Sequence, residues 1–248
     1  MSADWVAADW PGPTGIIAGT TTRLGGASSG DFASMNLAAH VGDDPDRVAD
    51  NRRALITMCD LPGEPVWLDQ VHGIRVFSAA ASSMESAVPE ADAIVSKRGD
   101  DVCAVMTADC LPILLSSTDG SKVAAAHGGW HGLAAGIIEA TVDAMSVPAE
   151  KLIVWLGPAI SQAAFEVGDD VRDAFVSHAA EAALCFIANK RGRWQADLYG
   201  LARQRLAATG VQGVYGGGYC TYEDDERFFS YRRDGQCGRM ASLIFRRR

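Results

Sequence analysis

A cysteine and a histidine on either side of one hairpin are the residues of this sequence best placed to do chemistry together. Cys110 heads the apolar run Leu111–Leu115 and His127 closes the run Lys122–Ala126, with Thr118-Asp119-Gly120-Ser121 between them. Asp-Gly between β-rich runs predicts a tight type I′ hairpin, because that turn needs positive φ at both central residues. With Asp119 and Gly120 as the pair, His127 lies opposite Pro112, and Cys110 shares Pro112's face, diagonal to His127. Diagonal neighbours stand roughly 7–8 Å apart. From that distance a thiolate and an imidazole can lean together onto one metal ion, zinc above all. A small buried cysteine near a strand-end histidine fits the same spacing, so the pairing alone leaves both readings open.

Several elements must hold these two side chains in place. The apolar run Val102–Thr107 precedes the polar step Ala108-Asp109-Cys110, and Gly128–Gly132 reads as a strand-to-helix turn before a small-residue helix at Leu133–Met145. The N-terminus of that helix would put backbone donors beside His127, a natural anion site. Val66–Gly73 reads as a strand with Gln70 and His72 on one face. Nearer the N-terminus, a strand at Gly15–Thr20 leads into the glycine-rich stretch Thr21–Gly30. That stretch is either a surface loop or an anion and nucleoside site built from backbone N–H groups and Arg23. Asp43 or Asp44, followed by Pro45, caps a helix over Asp46–Met58.

Residues 79–90 are small and polar, as loops are. Further on come a strand at Lys151–Gly157, a loop carrying Glu166, a mostly helical stretch Asp169–Ala188 and a helix at Asp197–Ala208. Val211–Tyr215 and Arg239–Phe245 read as strands. The pattern is one α/β domain over residues 1–248, with mixed rather than purely parallel strands.

Composition narrows the function classes. A net charge of −9 argues against nucleic acid and anionic membranes as partners, which need a basic surface. No apolar run approaches the roughly 18–20 residues of a membrane span, and the N-terminal MSADWVAADWPGP has no secretory pattern. The six cysteines show no C-x-x-C and read as reduced thiols, which implies a cytoplasmic protein.

Separated motifs then converge on one family. TTRLGG, SMNL, WLDQVHG, MTADCLPILL, AAAHGGWHGLAAG, WLGPAI, FEVG, CTY and FFSYRRDGQCGRMASLIF together resemble the YfiH family, also called laccase-domain or multicopper polyphenol oxidase proteins. The resemblance implies a layered α/β fold like that of cytotoxic necrotizing factor, with mixed β-sheets flanked by helices. It implies a metal held by the His of QVHG, the Cys of TADC and the His of AAAH, here His72, Cys110 and His127. These three are also the expected catalytic residues, with Arg23, Asn36, Asp109, His131 and Glu166 as expected substrate-binding residues. His131 stands where the family usually has Arg, and would hold an anionic group only when protonated.

His₂Cys leaves a tetrahedral ion one open position, as catalytic zinc sites do. The same donors describe a blue-copper centre with Met106 as a weak axial ligand, so Cu²⁺ is the alternative to Zn²⁺. A full laccase needs many more histidines, largely in H-x-H pairs, whereas this chain has five and no such pair. Some family members are assigned to purine nucleoside metabolism. On that resemblance the expected partners are purine nucleosides and phosphate, in phosphorolysis or adenosine deamination, by a monomer or weak homodimer. Deamination needs a proton-shuttling carboxylate, for which Asp109 and Glu166 are the candidates. The alternatives are editing of peptidoglycan precursors, a Cys–His hydrolase with Cys110 as nucleophile, and copper-dependent polyphenol oxidation.

Overall fold

Two stacked sheets form the centre of the molecule, and the chain crosses between them at Ala108-Asp109-Cys110. A computed structural model describes residues 4–79, 88–97 and 100–247; of the loop expected at 79–90, residues 80–87 lie outside the described residues. One sheet is antiparallel, in the order Trp5–Ala7, Ile16–Thr21, Met240–Arg246, Cys103–Thr107. The other is mixed, in the order Gly213–Gly216, Leu152–Leu156, Leu111–Ser117, Val123–Gly128, Ala93–Ser96, Val76–Ser78. A small third sheet joins Phe186–Ala188, Trp194–Ala196 and Glu166–Val167. The expected layered, mixed α/β architecture is therefore what the chain adopts.

The apolar runs are continuous because both faces of each central strand are covered. Leu114, Ala125 and Trp155 of the mixed sheet pack against Cys103, Val105 and Ile244 of the antiparallel one. On the far side of the mixed sheet, Leu111, Ile113 and Leu115 meet Leu133, Ile137, Leu201 and Leu206. On the far side of the antiparallel sheet, Leu243 and Phe245 meet Leu55 of the helix Pro45–Cys59. Among the described residues no helix is long and apolar enough to cross a membrane.

The central register is the expected one, with Pro112 opposite His127, but the turn that sets it is not type I′. Gly120 has φ 67° while Asp119 stays at negative φ. The Gly120 N–H donates to the Ser117 carbonyl at 2.9 Å and the Ser117 N–H to the Lys122 carbonyl at 3.0 Å. The Asp119 carboxylate accepts from Ser117 Oγ at 2.6 Å and from the Ser121 N–H at 2.9 Å. An aspartate that bonds its own turn closes a wider loop without altering the pairing.

Three other expectations are corrected. The helix at Leu133–Met145 is two helices, Trp130–Ala135 and Ile137–Met145, broken where Gly136 takes φ 111°. Asp169–Ala188 holds a helix only over Asp169–Val176, then a 3₁₀ stretch Ala180–Cys185 and the strand Phe186–Ala188. Val66–Gly73 makes single bridges, Val66 to Cys103 and Asp69 to Glu90, rather than a strand.

Candidate functional site

His127 sits on the face of its strand that looks into the gap between the two sheets, in phase with buried Ala125. Pro112 is its neighbour on one side. On the other, Asp92 accepts the His127 backbone N–H through its carbonyl at 2.7 Å. Asp92 precedes the strand Ala93–Ser96, and its carboxylate turns toward the imidazole, with Oδ1 2.8 Å from His127 Nδ1. An Nδ1 held this way leaves Nε2 as the free ligand atom.

The same carboxylate builds the turn that carries His72. Its Oδ1 accepts the His72 N–H at 2.9 Å, and Oδ2 accepts those of Gly73 at 2.6 Å and Val71 at 3.2 Å. Consecutive N–H groups aimed at one anion form a nest, and here the nest holds His72 at φ 61°. Gln70 secures the entry to the turn. Its amide exchanges two hydrogen bonds with the Met106 backbone, at 2.9 and 2.7 Å, as a neighbouring strand would.

Cys110 is placed by the crossover. Asp109 adopts φ 89°, and its carboxylate accepts from Thr221 Oγ1 at 2.6 Å and from the Arg232 N–H at 2.7 Å. The chain therefore leaves one sheet and enters the next with Cys110 at the mouth of the gap. Sγ lies 3.9 Å from His72 Nε2, and the rings of His72 and His127 meet edge to face at 4.7 Å. The ligand atoms of His72, Cys110 and His127 all lie within 4.8 Å of one another.

The electrostatics of the cluster suit a cation. Burial alone would push the Cys110 thiol up, but His127 and His72 outweigh it and hold it down to about 6. Burial would likewise lower His127, yet the Cys110 thiolate and the Asp92 carboxylate raise it to about 9. Burial would push the Asp92 carboxyl up, but its bonds to His127 and to the turn keep it below the usual range.

Space is reserved there as well. A Cβ on Gly129 would fall 2.6 Å from His72 Cδ2 and 3.4 Å from Cys110 Sγ, so the cradle stays open only because residue 129 has no side chain. Two borderline-soft imidazole nitrogens, one thiolate and an open cradle fit a single zinc or copper ion.

Two cavities open from this point. The larger, about 370 Å³, is lined by His40, Gln70, Met106, Tyr231 and Arg239 together with the three ligand residues. The smaller, about 130 Å³, is lined by Trp130, Ile160, Phe165, Leu198 and Arg232. Ala108, Cys110 and Tyr231 belong to both.

Of the other residues expected to bind substrate, Asp109 reaches the wall of the smaller cavity with both oxygens already engaged. The remaining four line neither cavity. Arg23 donates to the carbonyls of Ala33 and Asp225 and covers Phe229. Asn36 is fully buried, bonding Ala38, Asp43 and the Arg239 N–H. His131 stacks on Trp130 at 3.5 Å. Glu166 faces Asn189 and Arg191 on the small third sheet.

Sequence reasoning missed Asp92, His40, Tyr231 and Arg239. The signal available for Asp92 was its place in the ADA triplet before a strand, and for Tyr231 and Arg239 their place in the stretch FFSYRRDGQCGRMASLIF; His40 carried none.

Residues 17–247 match the family described as multi-copper polyphenol oxidoreductase laccase. A Pseudomonas aeruginosa protein named purine nucleoside phosphorylase is 52% identical over 242 residues, 97% of this chain and 98% of that one. A protein of the same name from Escherichia coli K12 is 50% identical over 236 residues, 95% and 96% of the two chains. Among solved structures, a Neisseria meningitidis protein aligns with a TM-score of 0.94 at 48% identity, over 99% of this chain and 100% of that one. YlmD from Geobacillus stearothermophilus aligns at 0.93 and 33% identity, over 99% and 97%.

Proposed function

Because the chain belongs to this laccase-domain family, and its half-identical relatives are named purine nucleoside phosphorylases, we propose that it is a zinc-dependent enzyme of that kind. Its substrates are adenosine, inosine, guanosine or methylthioadenosine together with phosphate, and its products are the free base and the sugar-1-phosphate. The observation that carries the reading is the convergence of His72, Cys110 and His127, from three separate stretches, on the wall of the larger cavity, where Cys110 also meets the smaller one. Three protein donors leave a fourth position for a reactant. Zinc held by these three side chains would supply Lewis-acid chemistry to the reaction.

The chain's own residues do the rest. Asp92 keeps the His127 proton on Nδ1 and holds the His72 turn in register with it. The cavity walls orient the nucleoside and exclude water from the bond that breaks. In phosphorolysis a phosphate oxygen lone pair forms the bond to C1′. The C1′–N9 pair leaves with the purine, which then takes up a proton.

Phosphorolysis is better supported than deamination, because neither expected shuttle carboxylate is available. Both Asp109 oxygens are engaged, and Glu166 is turned toward Asn189 and Arg191. Laccase chemistry is less supported still. Among the described residues, one group of three ligating side chains is present, using two of the five histidines. A Cys–His hydrolase would need Cys110 free of metal and would leave His72, 3.9 Å from Sγ, without a role. The six free thiols support a reducing, cytoplasmic setting.

The test is metal analysis of the purified protein combined with base release from inosine, with and without phosphate. About one zinc per chain and phosphate-dependent hypoxanthine are expected, both abolished in Cys110→Ala. Copper in place of zinc would reassign the ion. Undiminished activity in Cys110→Ala would overturn the reading.

A further inference from the structure

The two cavities that meet at Cys110 differ in kind, and the difference matches the two ends of a displacement at carbon. The larger one contains a cation without a counter-charge. The Arg239 guanidinium donates through Nη1 to the carbonyls of Cys237 at 2.8 Å and Gly238 at 3.0 Å. Its backbone N–H is held by Asn36 Oδ1 at 3.0 Å. Among the described residues its hydrogen bonds run through Nη1 alone, and no carboxylate lies within ion-pair distance of it.

Several other arginines of this acidic chain are paired, while Arg23, Arg203 and Arg232 spend donors on backbone carbonyls as Arg239 does. Arg191 pairs with Glu166, Arg205 with Glu139, Arg227 with Asp224 and Arg233 with Asp234. Arg239 is thus a fixed fork with its remaining donors, Nε and Nη2, uncommitted on the wall of a cavity. His40 lines the same wall, where burial and then the nearby Arg239 charge lower its basicity, with the Asp69 carboxylate opposing them. A rigid guanidinium beside an imidazole is a recognition pair for a phosphate-like anion.

The smaller cavity is the more apolar of the two, although Arg232 on its wall is likewise without an ion-pair partner among the described residues and donates to the Glu166 carbonyl at 2.8 Å. Trp130, Ile160, Phe165 and Leu198 line it, and the Arg232 guanidinium lies 5.2 Å from the Phe165 ring at its edge. A flat, largely apolar heterocycle is what such walls accept, by stacking and burial.

On the phosphorolysis reading given above, we propose that the two cavities are the two ends of one substrate site. Inorganic phosphate is held by Arg239 and His40 in the larger cavity, and the purine lies against Trp130 and Phe165 in the smaller. The sugar carbon C1′ crosses the neck beside Cys110 and Tyr231. Displacement at C1′ requires the incoming phosphate oxygen and the departing N9 on opposite sides of that carbon. A neck between an anion-binding chamber and an apolar one provides this arrangement.

The experiment measures KM for phosphate and for inosine separately in zinc-loaded wild type, Arg239→Gln, His40→Asn and Trp130→Ala, with metal content and melting temperature checked for each. A hydrogen bond to a charged group is worth roughly 10- to 100-fold. KM for phosphate is therefore expected to rise by about that factor in Arg239→Gln, and less in His40→Asn, with KM for inosine moving under about threefold. Trp130→Ala is expected to show the reverse. His40 is exposed, so His40→Asn carries the test if Arg239→Gln loses its fold. Unchanged KM for phosphate in both folded variants overturns the proposal.

Binding of inorganic phosphate alone, followed by ³¹P line broadening, separates the two levels of inference. Wild type that releases no base, yet binds phosphate in an Arg239-dependent way, removes the phosphorolysis reading and keeps the anion site. Wild type that releases base while Arg239→Gln binds phosphate normally does the opposite.

Discussion

Replacing Asp92 by asparagine puts an N–H donor where the structure presents only donors. Oδ1 faces His127 Nδ1 and the His72 N–H, at 2.8 and 2.9 Å; Oδ2 faces the N–H groups of Gly73 and Val71, at 2.6 and 3.2 Å. An asparagine with its amide nitrogen in the Oδ2 position leaves two backbone donors unmet. At up to about 1 kcal/mol for each of these part-buried donors, the turn that holds His72 at φ 61° loses its main support. In the other orientation the amide nitrogen faces His127 Nδ1, which must become an acceptor. The imidazole proton then moves to Nε2, the atom a metal needs.

Either way the ligand set is mis-set without any ligand being removed. The expected loss of zinc affinity is about 10- to 100-fold, or about 1.4–2.7 kcal/mol at 1.36 kcal/mol per decade. Competition with a chromophoric chelator measures it. Urea unfolding with and without saturating zinc separates loss of affinity from loss of fold. Wild-type zinc affinity in a folded Asp92→Asn protein would refute the reasoning.

Three further outcomes follow from the same geometry. Gly129→Ala is expected to lower metal stoichiometry while leaving far-UV circular dichroism unchanged, since its Cβ would fall 2.6 Å from His72 Cδ2. In chelator-treated protein, alkylation of Cys110 is expected to rise with a midpoint near pH 6, because a thiol held down to about 6 is thiolate above that pH and protonated below it. Added zinc should suppress the reaction, and a midpoint above pH 8 would count against the cluster. Asp109→Asn is expected to leave the shape of the kcat–pH profile intact and to destabilise the fold by about 1–3 kcal/mol, as befits a carboxylate that pins Thr221 and Arg232. Loss of one limb of the profile would instead make Asp109 the proton shuttle.

How much of this was legible depended on distance along the chain. The central register could be read from Asp119-Gly120 and the alternation of the flanking runs, because hairpin pairing is local. It survived a wrong turn type, since the side chain of Asp119 changed the loop and not the pairing. The stretch around His72 was misread because its apolar pattern resembles a strand, while its backbone answers to a carboxylate twenty residues away at Asp92. Gly136 was passed over inside an otherwise helical pattern, although positive φ there splits the helix.

The polar wall of the larger cavity was the least visible part. His40, Tyr231 and Arg239 approach one another only after Met240–Arg246 docks between Ile16–Thr21 and Cys103–Thr107. Arg23 looked the better anion ligand because it sits among glycines. The fold turned its guanidinium onto carbonyls instead.

The crossover at Ala108-Asp109-Cys110 has a bearing on how the protein is made. Its aspartate is anchored to Thr221 and Arg232, and the strand before it pairs with Met240–Arg246. The sulfur therefore cannot take its final position until the C-terminal segment has emerged from the ribosome and settled into its sheet. A metal held by these three side chains would then be loaded late, once both layers are in place. An ion seated there would act as a rivet through the assembled stack and favour the finished molecule over partly built forms.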